Sequence, residues 1–583
     1  MISPAVFLRK ALRLLVPLAV ILSSYLYYYP VFLGCAFPLP DKGPAASEGS
    51  SAYFETLRQH VPFLAPLSPI EANSSTAPDT DPGSEATPPL FPSRQAPFRL
   101  LALGDPQLEG DSSIPNTYKS SPFPHLVKLW KRAIFKTQMP SLRQRVRWML
   151  HDIVDFYFED IPDTIESIRK RIDHAGNDFY LSLVYKTMHW WTKPTHVTVL
   201  GDLVGSQWID DAEFERRGKR YWNTVFEGSE KVPHEVAAEP ENDYSLTGFL
   251  GIQPNNETET WERRLINVAG NHDIGYAGDL TVERLERFEK MFGKANYELR
   301  FELPVSEAAA PTILSGTNED SDRLPPELRI VVLNNMNLDT PAICSELQDA
   351  TYGFINKVIT TSTAVEYKGH FTVLLTHIPL YKPEGVCIDG PFFEFFEEDM
   401  GSGLKEQNQL SEDASRGFLE GIYGLSGNPY GPGKGHGRPG VILNGHDHEG
   451  CDTYHFVNQS FGEGPQDRSW EVKRWRQAKR DDIPGNANSP GVREFTARSM
   501  MGNFGGYAGL LSAWFDEDVW EWKYEFATCS VGTHNLWWLT HVLDLIAIGG
   551  IILYPVAVIW EASAAAKQAP VAHASKKGNE VKA

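Results

Sequence analysis

The chain is poor in cysteine and in positive charge. It has 5 cysteines in 583 residues, and its 54 Lys and Arg against 75 Asp and Glu leave a formal net charge of −21. So acidic a chain lacks the basic surface that releases counterions from a polyanion, which argues against nucleic acid as a partner. We also find no internal repeat. The composition is otherwise that of a folded protein, 42% hydrophobic and 12% aromatic.

The cysteines are too widely spaced to show a disulfide framework. Cys35 stands beside an apolar stretch, at the predicted edge of a membrane. The other cysteines form an even set: Cys344, Cys387, Cys451 and Cys529. Two disulfides within this set, in any of three pairings, and four unpaired buried thiols fit the sequence equally well.

Two long apolar stretches predict membrane spans. The first runs from Leu14 to Leu33 behind Arg9, Lys10 and Arg13, and the second runs from Leu536 to Trp560. A helix of about twenty residues crosses the hydrocarbon core of a bilayer. The first stretch exceeds a secretory signal in length and ends in a tyrosine belt, which favours an uncleaved anchor over a cleaved signal peptide. The second is followed by lysines, which favours a span over a buried core helix.

Basic residues outside both spans predict that both termini face the cytosol, with residues 35–535 on the opposite, lumenal side. Sequons at Asn73, Asn256 and Asn458 are compatible with a glycoprotein in that compartment. A run rich in Pro, Ser and Thr over 64–97 predicts a mobile stalk. The expected organisation is 1–34 tail and transmembrane helix, 35–97 lumenal linker, 98–530 folded domain with insertions, 536–560 transmembrane helix and 561–583 cytosolic tail.

Short apolar runs recur after residue 98, and most end at a polar residue. Runs of this length predict buried strands of a sheet covered on both faces. Five lead into an acid, amide or imidazole: 98–103 into Asp105, 196–200 into Asp202, 265–269 into Asn271-His272-Asp273, 371–376 into His377, and 441–443 into His446-Asp447-His448. Ligands gather at the carboxyl ends of such strands, so we expect one polar site there. A further run, 329–333, predicts a strand without a ligand.

The segments between these strands are longer than a minimal α/β domain needs. Residues 116–175 have a helical pattern in which Lys and Arg alternate with apolar residues around Trp130 and Trp148. A solvated helical face and a basic amphipathic surface lying against lipid both fit this pattern. The polar, glycine-rich segments 401–439 and 462–490 predict loops beside the site.

The polar residue types at the strand ends indicate a metal site. Carboxylate, amide and imidazole together are ligands for Mn²⁺, Zn²⁺ or Fe²⁺. The absence of cysteine from these turns argues against a structural zinc site. Two ions about 3.5–4 Å apart can clamp a phosphoryl group and lower the pKa of a water, and a shared carboxylate is the natural bridge between them.

The ordered series Gly-Asp, Gly-Asp, Gly-Asn-His-Asp, an isolated His and Gly-His-x-His resembles the calcineurin-like metallophosphoesterase family over residues 98–508. The resemblance implies an α/β fold with a β-sandwich flanked by helices. It implies that Asp105 and His448 bind one divalent ion, that Asp202 bridges to a second, and that the second ion is held by Asn271, His377 and His446. His272 would give a proton to the leaving group or a hydrogen bond to the phosphoryl oxygens, and Asp273 would orient its ring.

One departure concerns the first family motif, which usually reads Asp-x-His. This chain has Asp105-Pro106-Gln107. The amide oxygen of Gln107 is a weaker donor than imidazole and suits a harder ion, which favours Mn²⁺ over Zn²⁺ or Fe²⁺. Gln107 as a direct metal ligand and Gln107 as the holder of a water outside the ligand set both fit.

Three further stretches and the two flanking spans resemble one branch of the family: the endoplasmic-reticulum phosphodiesterases that remove ethanolamine phosphate from the mannose side branch of GPI anchors. The stretches are 177–181, 201–209 and 498–506, and the Asp-Pro-Gln variant is similar to the fungal members. The resemblance implies a catalytic domain in the lumen of the endoplasmic reticulum or early Golgi, a GPI-anchored glycoprotein or glycolipid as substrate, and cargo-receptor complexes as partners. Anchoring at both ends would confine enzyme and glycolipid to one surface.

Two other functions fit the same residues less well. A phosphoprotein or nucleotide phosphatase would use the same metals, but the chain shows no arginine cluster for a phosphomonoester, only the scattered Arg493 and Arg498. A non-catalytic lumenal binding module would explain the missing first-motif histidine, but it leaves His272 without a purpose.

Overall fold

The computed structural model describes residues 3–40, 52–61, 95–110, 114–115, 121–237, 246–251, 261–304, 324–459, 468–532 and 534–568. The predicted stalk from 64 to 94 and the sequons at Asn73 and Asn256 lie outside these residues. The chain divides into two units, one formed by Met1–Tyr29 with Gly532–Ala583 and the other by Pro30–Val531.

The larger unit contains two extended sheets. Its strands are β1 Phe98–Leu103, β2 His196–Val199, β3 Glu230–Lys231, β4 Gly248–Phe249, β5 Arg264–Asn267, β6 Tyr297–Glu302, β7 Glu327–Val332, β8 His370–Leu375, β9 Phe393–Phe395, β10 Leu404–Gln407, β11 Gly440–Asn444, β12 Cys451–Asn458, β13 Ser469–Arg474, β14 Gly491–Thr496, β15 Tyr507–Asp516 and β16 Glu521–Ser530. A six-stranded sheet has the order β16-β15-β1-β2-β5-β3, and an eight-stranded sheet has the order β13-β12-β14-β11-β8-β7-β6-β4. β9 and β10 pair as a separate hairpin.

The two sheets share one hydrophobic core. Leu100, Ile266 and Leu511 enter it from the first sheet, and Ile330 and Phe371 enter it from the second. Every residue of β7, β8 and β11 is buried. Strands covered on both faces have continuous apolar runs instead of alternating ones, as the sequence shows. The mixed α/β class is therefore confirmed.

The strands that carry the polar residues are divided between the two sheets. β1, β2 and β5 are parallel neighbours in the first sheet. β7, β8 and β11 are parallel neighbours in the second. The expectation from the residue pattern that all five belong to one sheet was wrong, because apolar periodicity shows that a strand is buried but not which strand it pairs with.

Helices lie between the strands and in both terminal parts of the described chain. They are α1 Pro4–Tyr27, α2 Tyr29–Phe32, α3 Ala52–His60, α4 Pro124–Ala133, α5 Leu142–Asp155, α6 Ile161–Thr192, α7 Asp211–Arg220, α8 Asn271–Ile274, α9 Val282–Phe292, α10 Ser345–Thr360, α11 Glu412–Gly421, α12 Trp475–Arg480 and α13 His534–Gln568. α4, α5 and the first half of α6 confirm the helical prediction for the described residues 121–175, and residues 116–120 lie outside the described residues.

The loop predictions for 401–439 and 462–490 were partly wrong. The first segment contains β10 and α11, and the second contains β13 and α12. α11 begins after Ser411, whose Oγ accepts a hydrogen bond from Ala414 N. This N-cap starts a helix inside a segment that its glycine content had marked as a loop.

Two disulfides lie in the larger unit, Cys35–Cys529 and Cys387–Cys451, whereas Cys344 is unpaired. The prediction that Cys344, Cys387, Cys451 and Cys529 form an even set without Cys35 was therefore wrong. Cys35 belongs to the folded unit, because Trp191 Nε1 donates to its carbonyl oxygen at 2.6 Å. α3 lies in the predicted linker and packs on the same residue, with His60 Nε2 2.9 Å from Trp191 O. This part of the linker is therefore helical.

In the smaller unit, α13 is the one helix of the described chain that is long and apolar enough to cross a membrane, over His534–Ala566. This is compatible with membrane association. The predicted N-terminal span is not confirmed. Arg9, Lys10 and Arg13 lie inside α1 instead of before it, and α1 ends at Tyr27. The part of this helix that carries no charged residue is therefore short. α1 packs along α13, where Ser23 Oγ donates to Asp544 Oδ2 at 2.9 Å.

Candidate metal centre

The polar motifs occupy tight turns directly after their strands. Asp105, Asp202 and His446 have positive φ angles of 47°, 50° and 71°. Such backbone conformations cost non-glycine residues on the order of 1–3 kcal/mol and are concentrated at functional sites. The turns after β1, β2 and β11 therefore carry strain at the residues that the sequence marked as ligands.

Glycines precede these residues because the backbones approach too closely for a side chain. A Cβ on Gly201 would lie 2.2 Å from His377 Nδ1, and a Cβ on Gly445 would lie 2.5 Å from Leu200 O. These contacts join the turn after β2 in one sheet to the turns after β8 and β11 in the other. The Gly-Asp and Gly-His pairs are thus required by the junction of the two sheets.

The turns bring potential metal-binding atoms into two clusters. One consists of Asp202, His377 and His446, and the other consists of Asp105, Asp202 and His448, with the ligand atoms of each cluster within 4.8 Å of one another. Asp202 belongs to both clusters. Asn271 joins the first, since its Oδ1 lies 3.0 Å from His377 Nε2. Two donor clusters that share a carboxylate can hold two divalent ions.

Backbone carbonyls orient both imidazoles of the first cluster. His377 Nδ1 lies 2.7 Å from Leu200 O, and His446 Nε2 lies 2.9 Å from Gln407 O. A ring N–H that donates to a carbonyl leaves the other ring nitrogen with a free lone pair, as in metal-ligating histidines. His377 therefore offers Nε2, and His446 offers Nδ1.

Two buried carboxylates, those of Asp105 and Asp202, lie close together in the centre, so that the charged form of Asp105 is disfavoured without a cation. Burial and the charge of Asp202 raise the pKa of Asp105 to about 8, against the opposing effect of His377. Although burial raises it, His377 and His272 lower the pKa of Asp202 below its usual value. Although burial lowers it, Asp202 and Asp105 raise the pKa of His377 to about 9. Asp105 Oδ2 is buried without a hydrogen-bond partner in the described residues. A divalent cation would supply the missing partner and charge.

Comparison with known proteins agrees with this chemistry. The chain is 33% identical to Protein TED1 of Saccharomyces cerevisiae over 415 residues. The matched region covers 65% of this chain and 77% of that protein. It is 21% identical over 297 residues to Metallophosphoesterase 1 of Danio rerio, covering 49% of this chain and 60% of that protein. The Xenopus laevis protein of the same name is 27% identical over 210 residues, 33% of this chain and 43% of that protein. No family model matches.

The chain belongs to the calcineurin-like metallophosphoesterase family. The resemblance inferred from the motifs is thereby confirmed. Gln107, which stands where metallophosphoesterases usually have the first-motif histidine, lies inside the centre. Its Nε2 donates to Asp202 Oδ2 at 3.1 Å and lies 3.0 Å from His448 Nε2. An amide that donates to the shared carboxylate favours a role in holding Asp202 over direct ligation.

His272 lies at the open side of the metallophosphoesterase centre. Its side chain is 35% exposed, and its Nε2 lies 3.8 Å from Asp202 Oδ2. The prediction that Asp273 orients this ring was wrong. Asp273 accepts hydrogen bonds from Val204 N and Gly270 N, both at 2.9 Å, while His272 Nδ1 has no partner among the described residues. Both carboxylate oxygens of Asp273 thus accept hydrogen bonds from backbone N–H groups, and these bonds hold the two turns together.

Glu494 on β14 is a structural partner of the centre that the sequence analysis did not single out. Its Oε1 accepts hydrogen bonds from Leu380 N at 2.8 Å and from Asn444 Nδ2 at 2.6 Å. Its Oε2 lies 2.9 Å from Lys382 Nζ and 2.7 Å from His455 Nε2. Glu494 thus ties the segment after His377 to the strand before His446. A buried carboxylate requires partners, but β14 also contains Arg493 and Thr496, so no local signal in its sequence indicated that Glu494 is buried.

Asn335 holds the His377 turn from the neighbouring strand. Its Oδ1 accepts from His377 N at 3.3 Å and from Ile378 N at 3.1 Å, and its Nδ2 donates to Ile378 O at 2.7 Å. Asn335 follows β7, the strand predicted to carry no ligand. The turn after β7 therefore positions the candidate ligand that follows β8 instead of supplying one. The polar residue directly after a buried strand was the signal here.

Proposed function

We propose that the chain is a two-metal phosphodiesterase. The observation that carries the proposal is the pair of donor clusters that share Asp202, with His272 at their open side. Asp105 and His448 would hold one ion with Asp202, and the second ion would be held by Asp202, Asn271, His377 and His446. Bound there, two divalent ions, with Mn²⁺ favoured, supply charge neutralisation for a phosphoryl group and for an attacking water.

The role proposed for His272 is that of a proton donor. When protonated, its imidazole gives a proton to the leaving alkoxide, which otherwise departs as an unstable anion. The Nε2 atom of His272 lies 3.8 Å from Asp202 Oδ2, which places the imidazole beside the proposed position of the two ions. The backbone N–H of His272 also donates to Asp202 Oδ1 at 2.9 Å, which fixes the residue relative to the shared carboxylate.

A diester is favoured over a phosphomonoester because the two candidate arginines are already engaged. Arg493 pairs with Asp452 at 2.8 Å, and Arg498 pairs with Glu449 at 3.2 Å. A dianionic monoester is usually bound by free guanidinium groups. A phosphodiester carries one negative charge and needs less compensation beyond the two ions.

The proposed substrate is an ethanolamine phosphate diester, as on the mannose side branch of GPI anchors. A cavity of about 50 Å³ adjoins His446, and it is lined by Pro379, Lys382, Cys387, Asp389, Asn408, Gln409 and Asp447. Lys382 in this lining is paired with Glu494. Asp389 and Asp447 therefore leave a negative character that suits an ammonium group. A lumenal location in the endoplasmic reticulum, with α13 as a membrane anchor and cargo receptors as partners, completes the proposal.

Substrate preference tests the reaction type and the cavity separately. We expect faster turnover of bis-p-nitrophenyl phosphate than of p-nitrophenyl phosphate. Asp389→Asn is expected to raise KM for an ethanolamine-bearing diester and to leave KM for bis-p-nitrophenyl phosphate unchanged. Faster turnover of the monoester would refute the diesterase assignment, and an equal effect of the substitution on both diesters would refute the ammonium site.

The cellular substrate is tested by mass spectrometry of GPI glycans from cells that lack the protein. The proposal predicts glycans with one additional ethanolamine phosphate. An unchanged glycan profile would overturn the GPI assignment, while the phosphodiesterase proposal would still be decided by the turnover assays.

A further inference from the structure

The hairpin formed by α4 and α5 has inverted polarity. All residues of α4 are described and none of them is buried, and α5 buries only Arg145 and Asp152. A helix on a water-soluble protein buries its apolar side chains and exposes its charged ones. In this hairpin the two buried residues, Arg145 and Asp152, are charged, whereas the large apolar side chains are exposed.

Polar contacts hold the hairpin together. Arg132 on α4 forms an ion pair with Asp152 on α5. Arg145 Nη1 donates to Arg132 O at 2.7 Å, and its Nη2 donates to Thr137 O at 2.9 Å. The fold of the hairpin therefore does not depend on burying its own apolar side chains. These side chains remain exposed and available to contact another surface.

Large apolar side chains are exposed on the hairpin, on the helical segment Phe156–Asp160 that follows it, and on the first part of α6. We call this surface the apolar face, and it is represented by Trp130, Phe135, Leu142, Val146, Phe158 and Ile168. Phe135 is 68% exposed and Phe158 is 78% exposed. Many large exposed apolar side chains on one segment mark a site of association with a membrane or a protein. The solvated helical face considered for this segment does not fit these exposures.

The charge pattern decides between a membrane and a protein. From Pro124 to Leu150 the chain contains no Asp or Glu, although the whole chain has a net charge of −21. Five exposed basic residues border the apolar face: Lys128, Lys131, Lys136, Arg143 and Arg147. Apolar and tryptophan side chains bordered by Lys and Arg are typical of helices that lie in the interface of a bilayer, where the cations contact lipid phosphates.

We propose that the α4–α5 hairpin is a membrane-docking element, whose apolar face enters the headgroup boundary of a bilayer and whose basic residues bind lipid phosphates. The inference does not depend on the phosphodiesterase activity. It gives the catalytic unit its own lipid contact in a chain whose α13 is compatible with a membrane span. A substrate embedded in lipid would then meet an enzyme that is held at the same surface.

Site-directed spin labelling of the full chain in nanodiscs tests the proposal. Cys344→Ser removes the one unpaired cysteine, and the labels are introduced by Trp130→Cys, Phe158→Cys and, as a control, Tyr430→Cys. Tyr430 is 87% exposed and lies outside the hairpin. We expect the two hairpin labels to be several-fold more accessible to oxygen, which dissolves in lipid, than to a water-soluble nickel complex. The Tyr430 label should show the opposite preference. Hairpin labels that behave like the control would overturn the proposal.

A second experiment tests whether the basic residues of the hairpin bind anionic lipid. The triple substitution of Lys128, Lys131 and Arg147 to Glu is compared with a matched triple substitution of the exposed Lys219, Arg416 and Arg480 to Glu. In phosphatidylcholine discs containing phosphatidylserine, only the hairpin triple should shift the Phe158 label toward water. Equal shifts of the Phe158 label from both triple substitutions would overturn the proposal. The proposal would also be overturned if, in lipid-free amphipol, the label were inaccessible to the nickel complex and the protein had the mass of a dimer. That last result would assign the surface to a second copy of the chain.

Discussion

Removing the charge of Glu494 is expected to destabilise the fold and loosen the metal centre together. Glu494→Gln preserves the shape of the side chain but leaves Lys382, whose side chain is 1% exposed, as a buried cation without its partner at 2.9 Å. Breaking a buried ion pair from one side costs about 3–5 kcal/mol. The matched control is Glu420→Gln, because the pair of Glu420 with Arg416 is about half exposed and such pairs contribute roughly 0–1 kcal/mol.

The effect of Glu494→Gln should depend on pH in a defined direction. Although burial raises it, Lys382 and His455 hold the pKa of Glu494 well below its usual value. A carboxyl group with a lowered folded-state pKa contributes stability that is complete above its unfolded pKa of about 4.3 and is lost as the pH falls toward the folded value. The deficit of the variant should therefore be full at neutral pH and shrink in acid.

Urea denaturation of the full chain in detergent, followed by tryptophan fluorescence, measures the difference in the free energy of unfolding. Metal titration of the same samples measures whether the turns that carry His377 and His446 still bind. A loss within about 1 kcal/mol of the Glu420→Gln control would refute the buried ion pair. A large loss of stability with unchanged metal affinity would refute the proposed link between Glu494 and the histidine turns.

Three further substitutions test the centre itself. His272→Ala is expected to leave the metal content near wild type and to lower kcat by about 10²–10⁴-fold, measured by turnover and elemental analysis; unchanged turnover would remove His272 from the mechanism. Gly201→Ala should abolish metal binding, because its Cβ would lie 2.2 Å from His377 Nδ1, whereas Gly228→Ala, at a similar positive φ and with nothing within 4 Å, should cost stability only. Equal effects of the two would refute the close approach. Gln107→Ala should weaken metal affinity by roughly 10- to 100-fold in a competition titration; an unaltered affinity would exclude Gln107 from holding Asp202.

The proximity of the candidate ligands could be predicted from the sequence because its signals are local. Each candidate ligand follows a buried strand within a few residues, and Gly201 and Gly445 mark turns where two backbones meet. Strand ends and turn glycines can be recognised from a short window of residues. The order of Asp105, Asp202 and His377 along the chain therefore sufficed to indicate a shared centre.

The remaining features depend on contacts between distant residues. The disulfide of Cys35 joins it to Cys529 at a sequence separation of 494. The division of β2 and β8 between two sheets is equally non-local, since both strands are buried in the same way. The role of Asp273 was mispredicted for another reason. A carboxylate next to a histidine in sequence can accept hydrogen bonds from backbone N–H groups instead of from the histidine ring.

The most direct test of the account is the divalent metal content of the purified full chain, measured by elemental mass spectrometry after loading with Mn²⁺ and removal of excess ion. The wild-type chain should retain about two ions per molecule, and Asp202→Asn should lose both, because Asp202 belongs to both donor clusters. A wild-type chain that retains no divalent ion under any loading condition, or an Asp202→Asn variant that retains both ions, would contradict the two-metal centre.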